Sequence, residues 1–90
     1  MGKPHRKELK MKRICGVYRW SYTDATREEP IEYEDYETFS GVVSTDIADV
    51  AYATYLMISG IYQSMQYRKL DPATDLLAYE LLDFSVKPIN

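Results

Sequence analysis

The stretch VAYATYLMISGIYQSMQY, residues 50–67, decides the fold of this chain. It contains no charged side chain, although 28% of the 90 residues are charged. Apolar and small residues recur around it at intervals of three and four, the spacing of one helix face: Ile47, Val50, Ala51, Thr54, Ile58, Ile61, Tyr62 and Met65. Cap-forming residues at 44–46 precede the stretch, and Asp71-Pro72 follows it. The spacing predicts a helix over residues 46–68 with this face buried.

The opposite face of the predicted helix is neutral, where a helix on a small sheet normally shows Lys and Glu to water. Its side chains are Tyr52, Leu56, Ser59, Gln63 and Gln66. One interpretation is a solvated face that lacks charge. The other is a second buried face, with Tyr52, Leu56, Ser59 and Gln63 contacting a different protein or forming a homodimer through the 46–68 helix.

Charge is distributed unevenly along the chain, although the net charge is only −3. Residues 1–13 carry six Lys or Arg against one Glu, and residues 24–37 carry seven acids against one Arg. The pattern predicts a flexible basic arm over residues 1–11 and a single domain over residues 12–90. Met11, followed by Lys-Arg, is an alternative start, so the first ten residues are interpreted either as part of the protein or as upstream sequence.

The location expected from composition is the cytoplasm. A single cysteine, Cys15, allows no internal disulfide and fits a reducing compartment. The basic N-terminus lacks the apolar segment of a secretory signal. A membrane span needs about 20 mostly apolar residues, and polar side chains interrupt the 50–67 stretch, so no membrane association is expected.

Two strands are predicted before the helix, over residues 12–23 and 31–43, joined as an antiparallel hairpin. In the first strand, Ile14, Gly16, Tyr18, Trp20 and Tyr22 share the face that packs on the helix, and Arg19 lies on the other face. Residues 71–84 fit a second helix, whereas residues 77–87 fit a third strand. A two-stranded sheet is marginal, which favours the strand. The predicted fold is α+β, a small antiparallel sheet packed by one long helix in the order β-β-α-β.

The open end of the hairpin is acidic and carries tyrosines, and it is the predicted partner-binding site. Its residues are Glu28, Glu29, Glu32, Tyr33, Glu34, Asp35, Tyr36 and Glu37. One interpretation is that these charges keep an edge strand from aggregating. The functional interpretation is docking on a basic protein surface, including one that normally binds nucleic acid. The spacing of an EF-hand is absent, and no cofactor or metal is expected.

The run ETFSGVVSTDIADVAYATYLM, in which a Ser-Gly strand meets an acid-capped helix, resembles small phage-encoded proteins, including some anti-CRISPR inhibitors. The resemblance covers residues 12–88 and is architectural, without a diagnostic motif. It implies a stoichiometric inhibitor that blocks a nucleic-acid-binding protein in the host cytoplasm.

The alternative is a nucleic-acid-binding protein that uses the basic arm with Arg13 and Arg19, and stacks bases on sheet aromatics. Its platform would consist of Tyr18, Trp20 and Tyr22. Catalysis is not expected, because the only histidine, His5, lies in the arm and Cys15 is expected to be a small core residue. No catalytic residues are therefore predicted.

Overall fold

The computed structural model of this protein describes residues 10–24 and 28–89. Four elements follow one another: β1 (Met11–Asp24), β2 (Ile31–Ser44), α1 (Asp49–Tyr67) and β3 (Leu76–Pro88). The predicted β-β-α-β order and α+β class are confirmed, and the ambiguous C-terminal segment is a strand. The predicted basic arm lies outside the described residues except for Lys10 and Met11.

The three strands form one antiparallel sheet in the order β2-β1-β3. The β1–β2 register runs without a break from Met11 opposite Ser44 to Asp24 opposite Ile31. The β1–β3 register shifts twice, between Val17 and Tyr18 and between Ser21 and Tyr22. The central strand therefore has one regular neighbour, β2, and one bulged neighbour, β3.

One face of the sheet is covered by α1. The helix-facing residues of β1 are Ile14, Gly16, Tyr18, Trp20 and Tyr22, as the alternation predicts, and the four apolar members of this set are buried. The opposite face, here called the open face, has no described element packed on it. Cys15, predicted to be a core residue, is half-buried there beside Ser40.

The face that α1 buries differs from the predicted one. The residues of α1 that are buried against the sheet are Ala53, Met57, Ile61 and Met65. Four residues of the predicted face are exposed instead: Val50, Ala51, Thr54 and Tyr62. The rotation follows from two close approaches. Tyr52 and Leu56 lie over Gly41 of β2, where an added Cβ would come within 2.7 Å of the Tyr52 hydroxyl, and Gly60 lies over the Tyr18 hydroxyl. Small residues at these contacts bring the helix close to β1 and β2.

The start of α1 is fixed by Lys12 of β1, which is buried. Its ammonium donates hydrogen bonds to the Asp49 carboxylate and to the Ile47 carbonyl oxygen. Asp49 is in the first helical turn, where a carboxylate also favours the helix dipole. The helix begins three residues after the predicted start at about residue 46, because Thr45 and Asp46 form a turn, in which the Asp46 amide donates to the Ser44 hydroxyl at 3.3 Å.

In the part of the chain that the structure describes, no helix has both the length and the apolar character needed to cross a membrane.

Candidate protein-binding surface

The alternation of β2 divides the predicted acidic site between the two faces of the sheet. Tyr33, Asp35 and Glu37 lie opposite Tyr22, Trp20 and Tyr18, so they are on the helix-covered face. Glu32, Glu34 and Tyr36 lie opposite Thr23, Ser21 and Arg19 on the open face. These residues therefore do not form the single surface that the sequence predicts.

Glu37 is engaged inside the fold. The Tyr18 hydroxyl, in a side chain that is only 1% exposed, donates a hydrogen bond to Glu37 Oε2 at 2.7 Å. The Ser64 hydroxyl of α1 donates to the same oxygen at 3.3 Å. Burial, the hydrogen bond to Glu37 and the negative charge of Glu37 all raise the pKa of Tyr18. Glu37 therefore joins β1, β2 and α1 and has little surface to offer a partner.

Asp35 and Tyr33 are also used internally. Asp35 Oδ2 pairs with the Arg68 guanidinium at 3.4 Å. That guanidinium lies 5.6 Å from the ring centroids of both Trp20 and Tyr22, a cation–π arrangement. Tyr33 stacks on Tyr22 with ring centroids 5.3 Å apart. No local sequence signal links Arg68 and Ser64 to the acidic segment, because both contacts join residues far apart in the chain.

The remaining acids form an exposed group at the hairpin end of the sheet, and those on β2 are on the open face. Glu28 and Glu29 precede β2 and are exposed, as are Glu32 and Glu34. The Tyr36 hydroxyl donates to Glu34 Oε1 at 2.9 Å, and this hydrogen bond is the main cause of the raised pKa of Tyr36. In the following text, the acidic surface means Glu28, Glu29, Glu32, Glu34 and Tyr36.

Arg19 lies at the centre of the open face and connects its two sides. Its guanidinium is 3.1 Å from Glu80 Oε2 on β3 and 3.9 Å from Glu34 Oε2 on β2. Arg19 lies on the face that the alternation of β1 predicts, and it is half-buried. Both pairs are solvent-accessible, so each contributes little to stability. Glu28, Glu29 and Glu32 have no cationic partner among the described residues.

The stacking platform predicted for nucleic-acid binding does not exist as an exposed surface. Tyr18 and Trp20 are at most 1% exposed and Tyr22 is 8% exposed, because all three rings lie beneath α1. A base could not stack on them without displacing the helix. The basic arm, which the same hypothesis needs, lies outside the described residues except for Lys10 and Met11.

Only part of the predicted oligomer or partner face of the helix is exposed in the structure. Tyr52 and Leu56 are half-buried against β2, where the Tyr52 hydroxyl donates to the Val42 carbonyl oxygen at 3.1 Å. Ser59 is half-buried and Gln63 is exposed. The outward surface of α1 carries Tyr55 and Tyr62, which are 62% and 52% exposed. Tyr55 and Tyr62 are seven residues apart and lie on the same side of the helix.

A cavity of about 330 Å³ lies at the hairpin end on the helix-covered face. It is lined by Tyr22, Asp24, Tyr33, Arg68, Lys69 and Leu70. Its charged lining consists of two cations, Arg68 and Lys69, and one carboxylate, Asp24. Among residues 10–24 and 28–89, no three His, Cys, Asp or Glu side chains are grouped so that they could hold a metal ion.

Comparisons of the chain with protein-family models, with curated proteins and with solved structures give no match.

Proposed function

We propose that this chain is a small, non-catalytic protein-binding module whose acidic surface binds a basic surface on another protein. The observation that carries the proposal is the exposure of Glu28, Glu29 and Glu32 without cationic partners among the described residues. Carboxylates that form no ion pair within the fold remain available for a partner. They steer association with that partner and provide charge complementarity.

The partner class is a protein that normally binds nucleic acid. An extended strand repeats its outward side chains about every 6.6–6.8 Å, so Glu32 and Glu34 offer a regular pair of negative charges to Lys and Arg side chains that otherwise hold phosphates. The module would then act as a stoichiometric inhibitor in the cytoplasm, in the manner of small phage-encoded anti-CRISPR proteins. The β-β-α-β architecture is compatible with this class.

Charge reversal at the acidic surface tests the proposal. Purified nucleic-acid-binding proteins are first screened for binding to the immobilised chain and for displacement by DNA or RNA. Against a protein that binds, we expect Glu32→Lys/Glu34→Lys to weaken affinity by about tenfold or more and to reduce its salt dependence. The measurement is Kd by surface plasmon resonance at several salt concentrations.

The matched control is Glu80→Lys/Asp83→Lys, which makes the same charge change on β3, the strand at the other edge of the sheet. This control should bind much more tightly than the β2 variant. Equal loss in both variants would mean that only net charge matters. The acidic surface is excluded as the contact if every basic protein in the screen binds wild type and Glu32→Lys/Glu34→Lys with the same Kd.

A homodimer through the uncharged 50–67 stretch of α1 is a second candidate interaction, favoured by the exposure of Tyr55 and Tyr62. Tyr52 and Leu56, which the sequence predicts for this interface, are half-buried against β2. We therefore propose Tyr55 and Tyr62 as the contact residues. Because α1 and the open face are on opposite sides of the sheet, a dimer of this kind leaves the acidic surface accessible.

A further inference from the structure

The outer edge of β2 presents backbone groups that no described strand pairs. The Thr45 amide donates to the Lys10 carbonyl oxygen at 3.0 Å, which shows that the pair Lys10–Thr45 is a hydrogen-bonded pair of the β1–β2 ladder. Hydrogen-bonded pairs recur at every second residue of an antiparallel ladder, and the β1–β2 register has no shift. The odd-numbered residues of β2 therefore bond to β1. The even-numbered residues direct their N–H and C=O groups outward.

The Tyr52 contact supports this assignment and limits the open edge. The carbonyl oxygen that accepts the Tyr52 hydroxyl belongs to Val42, an even-numbered residue at the edge. The even residues of β2 between this contact and the hairpin end are Glu32, Glu34, Tyr36, Thr38 and Ser40. No hydrogen bond from another described residue reaches their outward backbone groups.

The two edges of the sheet differ in how they are protected against pairing with another strand. β3 has two register shifts and ends at Pro88, features that interrupt edge pairing. β2 has neither a shift nor an internal proline. Its protection is electrostatic, because Glu32 and Glu34 would repel the same edge of a second copy. The same charges attract a strand that carries Lys or Arg.

We infer that the edge of β2 over residues 32–40 accepts an extended, Lys- or Arg-bearing segment of the partner as an added antiparallel strand. This inference rests on the proposed function and specifies how the acidic surface is recognised. Each even residue of β2 exchanges two backbone hydrogen bonds with the residue opposite it. Those opposing residues share the open face with Glu32 and Glu34, so cationic side chains are required at the two positions of the partner segment that lie opposite Glu32 and Glu34.

The probe is a peptide of about ten residues that alternates Lys with Thr, since strands of this length span the open edge. Hydrogen exchange followed by NMR reports backbone pairing directly. In the free protein, the amides of Glu34, Tyr36 and Thr38 should exchange rapidly because they face solvent. Saturating peptide should slow their exchange by about tenfold or more, while the odd-numbered amides stay protected throughout. Binding of the peptide without protection of the even amides would overturn the inference.

Selective N-methylation of the peptide provides a matched pair that leaves the protein unchanged. Methyl groups on the Lys amides remove the donors that face β2, and we expect about tenfold weaker binding or total loss. Methyl groups on the Thr amides lie on the far side of the added strand and should have little effect. Equal affinity of the two methylated peptides would contradict strand addition.

A protein variant gives a second check. Thr38→Pro removes one outward N–H and no β1–β2 hydrogen bond. An edge strand tolerates proline at a position whose N–H faces solvent. It should weaken peptide binding by about tenfold, whereas Thr38→Ala should bind as wild type. Strand addition is excluded if Glu32→Lys/Glu34→Lys abolishes binding but Thr38→Pro does not, and the proposed function then stands. Failure of the peptide to bind at low salt also overturns strand addition, and binding of basic proteins then decides the function separately.

Discussion

The contact between Tyr18 and Glu37 links β1, β2 and α1. The phenol is buried, and its hydroxyl donates to a carboxylate on β2 and occupies the space that a side chain at Gly60 of α1 would fill. The neutral phenol donates a hydrogen bond to a carboxylate, whereas a phenolate would face that negative charge in a buried site. The fold therefore holds Tyr18 protonated, as its raised pKa indicates.

This contact predicts a loss of stability at alkaline pH. The pKa of Tyr18 in the unfolded chain is the ordinary value of 10.0, and in the folded chain it is higher. Above pH 10 the unfolded chain releases a proton that the folded chain retains, so the free energy of unfolding falls by about 1.4 kcal/mol per pH unit from this residue. Tyr18→Phe should cost about 1 kcal/mol at pH 7 and should remove this part of the decline.

The measurement is urea unfolding at intervals from pH 8 to 11.5, with Tyr36→Phe as the control. Tyr36 has a raised pKa through Glu34, but it is exposed, so its contribution should be much smaller. Identical pH dependence of Tyr18→Phe and wild type would show that the Tyr18–Glu37 contact is not maintained in solution.

At the level of elements, the four segments could be predicted from sequence, but the face of the helix could not. Strand alternation in β1 indicates the buried face, because all three aromatic residues of the strand, Tyr18, Trp20 and Tyr22, lie on one face. The 50–67 stretch lacks charge on all sides, so hydrophobic spacing allows more than one buried face. The choice depends on where α1 can approach the sheet, which is decided by Gly41 and Gly60 together with the hydroxyls of Tyr52 and Tyr18. Such complementarity between distant residues has no local sequence signal.

The close approach at Gly60 predicts an unusual response to substitution. A Cβ at this position would lie 2.5 Å from the Tyr18 hydroxyl oxygen and 3.3 Å from the ring carbon that bears it. Gly60→Ala should therefore destabilise the protein by about 1–3 kcal/mol, although alanine is favoured over glycine in a helix by about 1 kcal/mol. In a Tyr18→Phe background the hydroxyl is gone, and the same change should be neutral or stabilising.

A double-mutant cycle by thermal or urea unfolding measures this coupling, with Ser59→Ala as the neighbouring control. Additive effects of Tyr18→Phe and Gly60→Ala would contradict the proposed packing of α1 on β1.

For the whole molecule, sequence located the acidic segment but did not identify which of its residues are available. The period of two in β2 was a usable signal, since it places Glu32, Glu34 and Tyr36 on one face and Tyr33, Asp35 and Glu37 on the other. The engagement of Asp35 by Arg68 and of Glu37 by Tyr18 and Ser64 needs the tertiary structure. The surface left for a partner is therefore smaller than the predicted one, and its part on β2 is confined to the open face.

The balance of buried and exposed apolar residues predicts self-association. Among the described residues, eight hydrophobic side chains are buried and thirteen large ones are exposed. A domain of this size buries too little surface for a wide stability margin, so association is a natural supplement. The outward face of α1 carries no charge that would repel a second copy, and Tyr55 and Tyr62 offer contact area at its centre. We expect a dimer with twice the chain mass of 10.5 kDa.

Size-exclusion chromatography with light scattering measures this mass over a range of protein concentrations. Tyr55→Lys/Tyr62→Lys should give a monomer, whereas Tyr36→Lys, an exposed tyrosine on the opposite side of the sheet, should leave the dimer intact. A wild-type mass of one chain at all concentrations would exclude the helix interface. A dimer through α1 presents two acidic surfaces facing away from each other, so it binds a partner with two basic sites more tightly than a monomer does, through effective concentration alone. The monomeric variant should then lose affinity for such a partner without any change to the acidic surface itself.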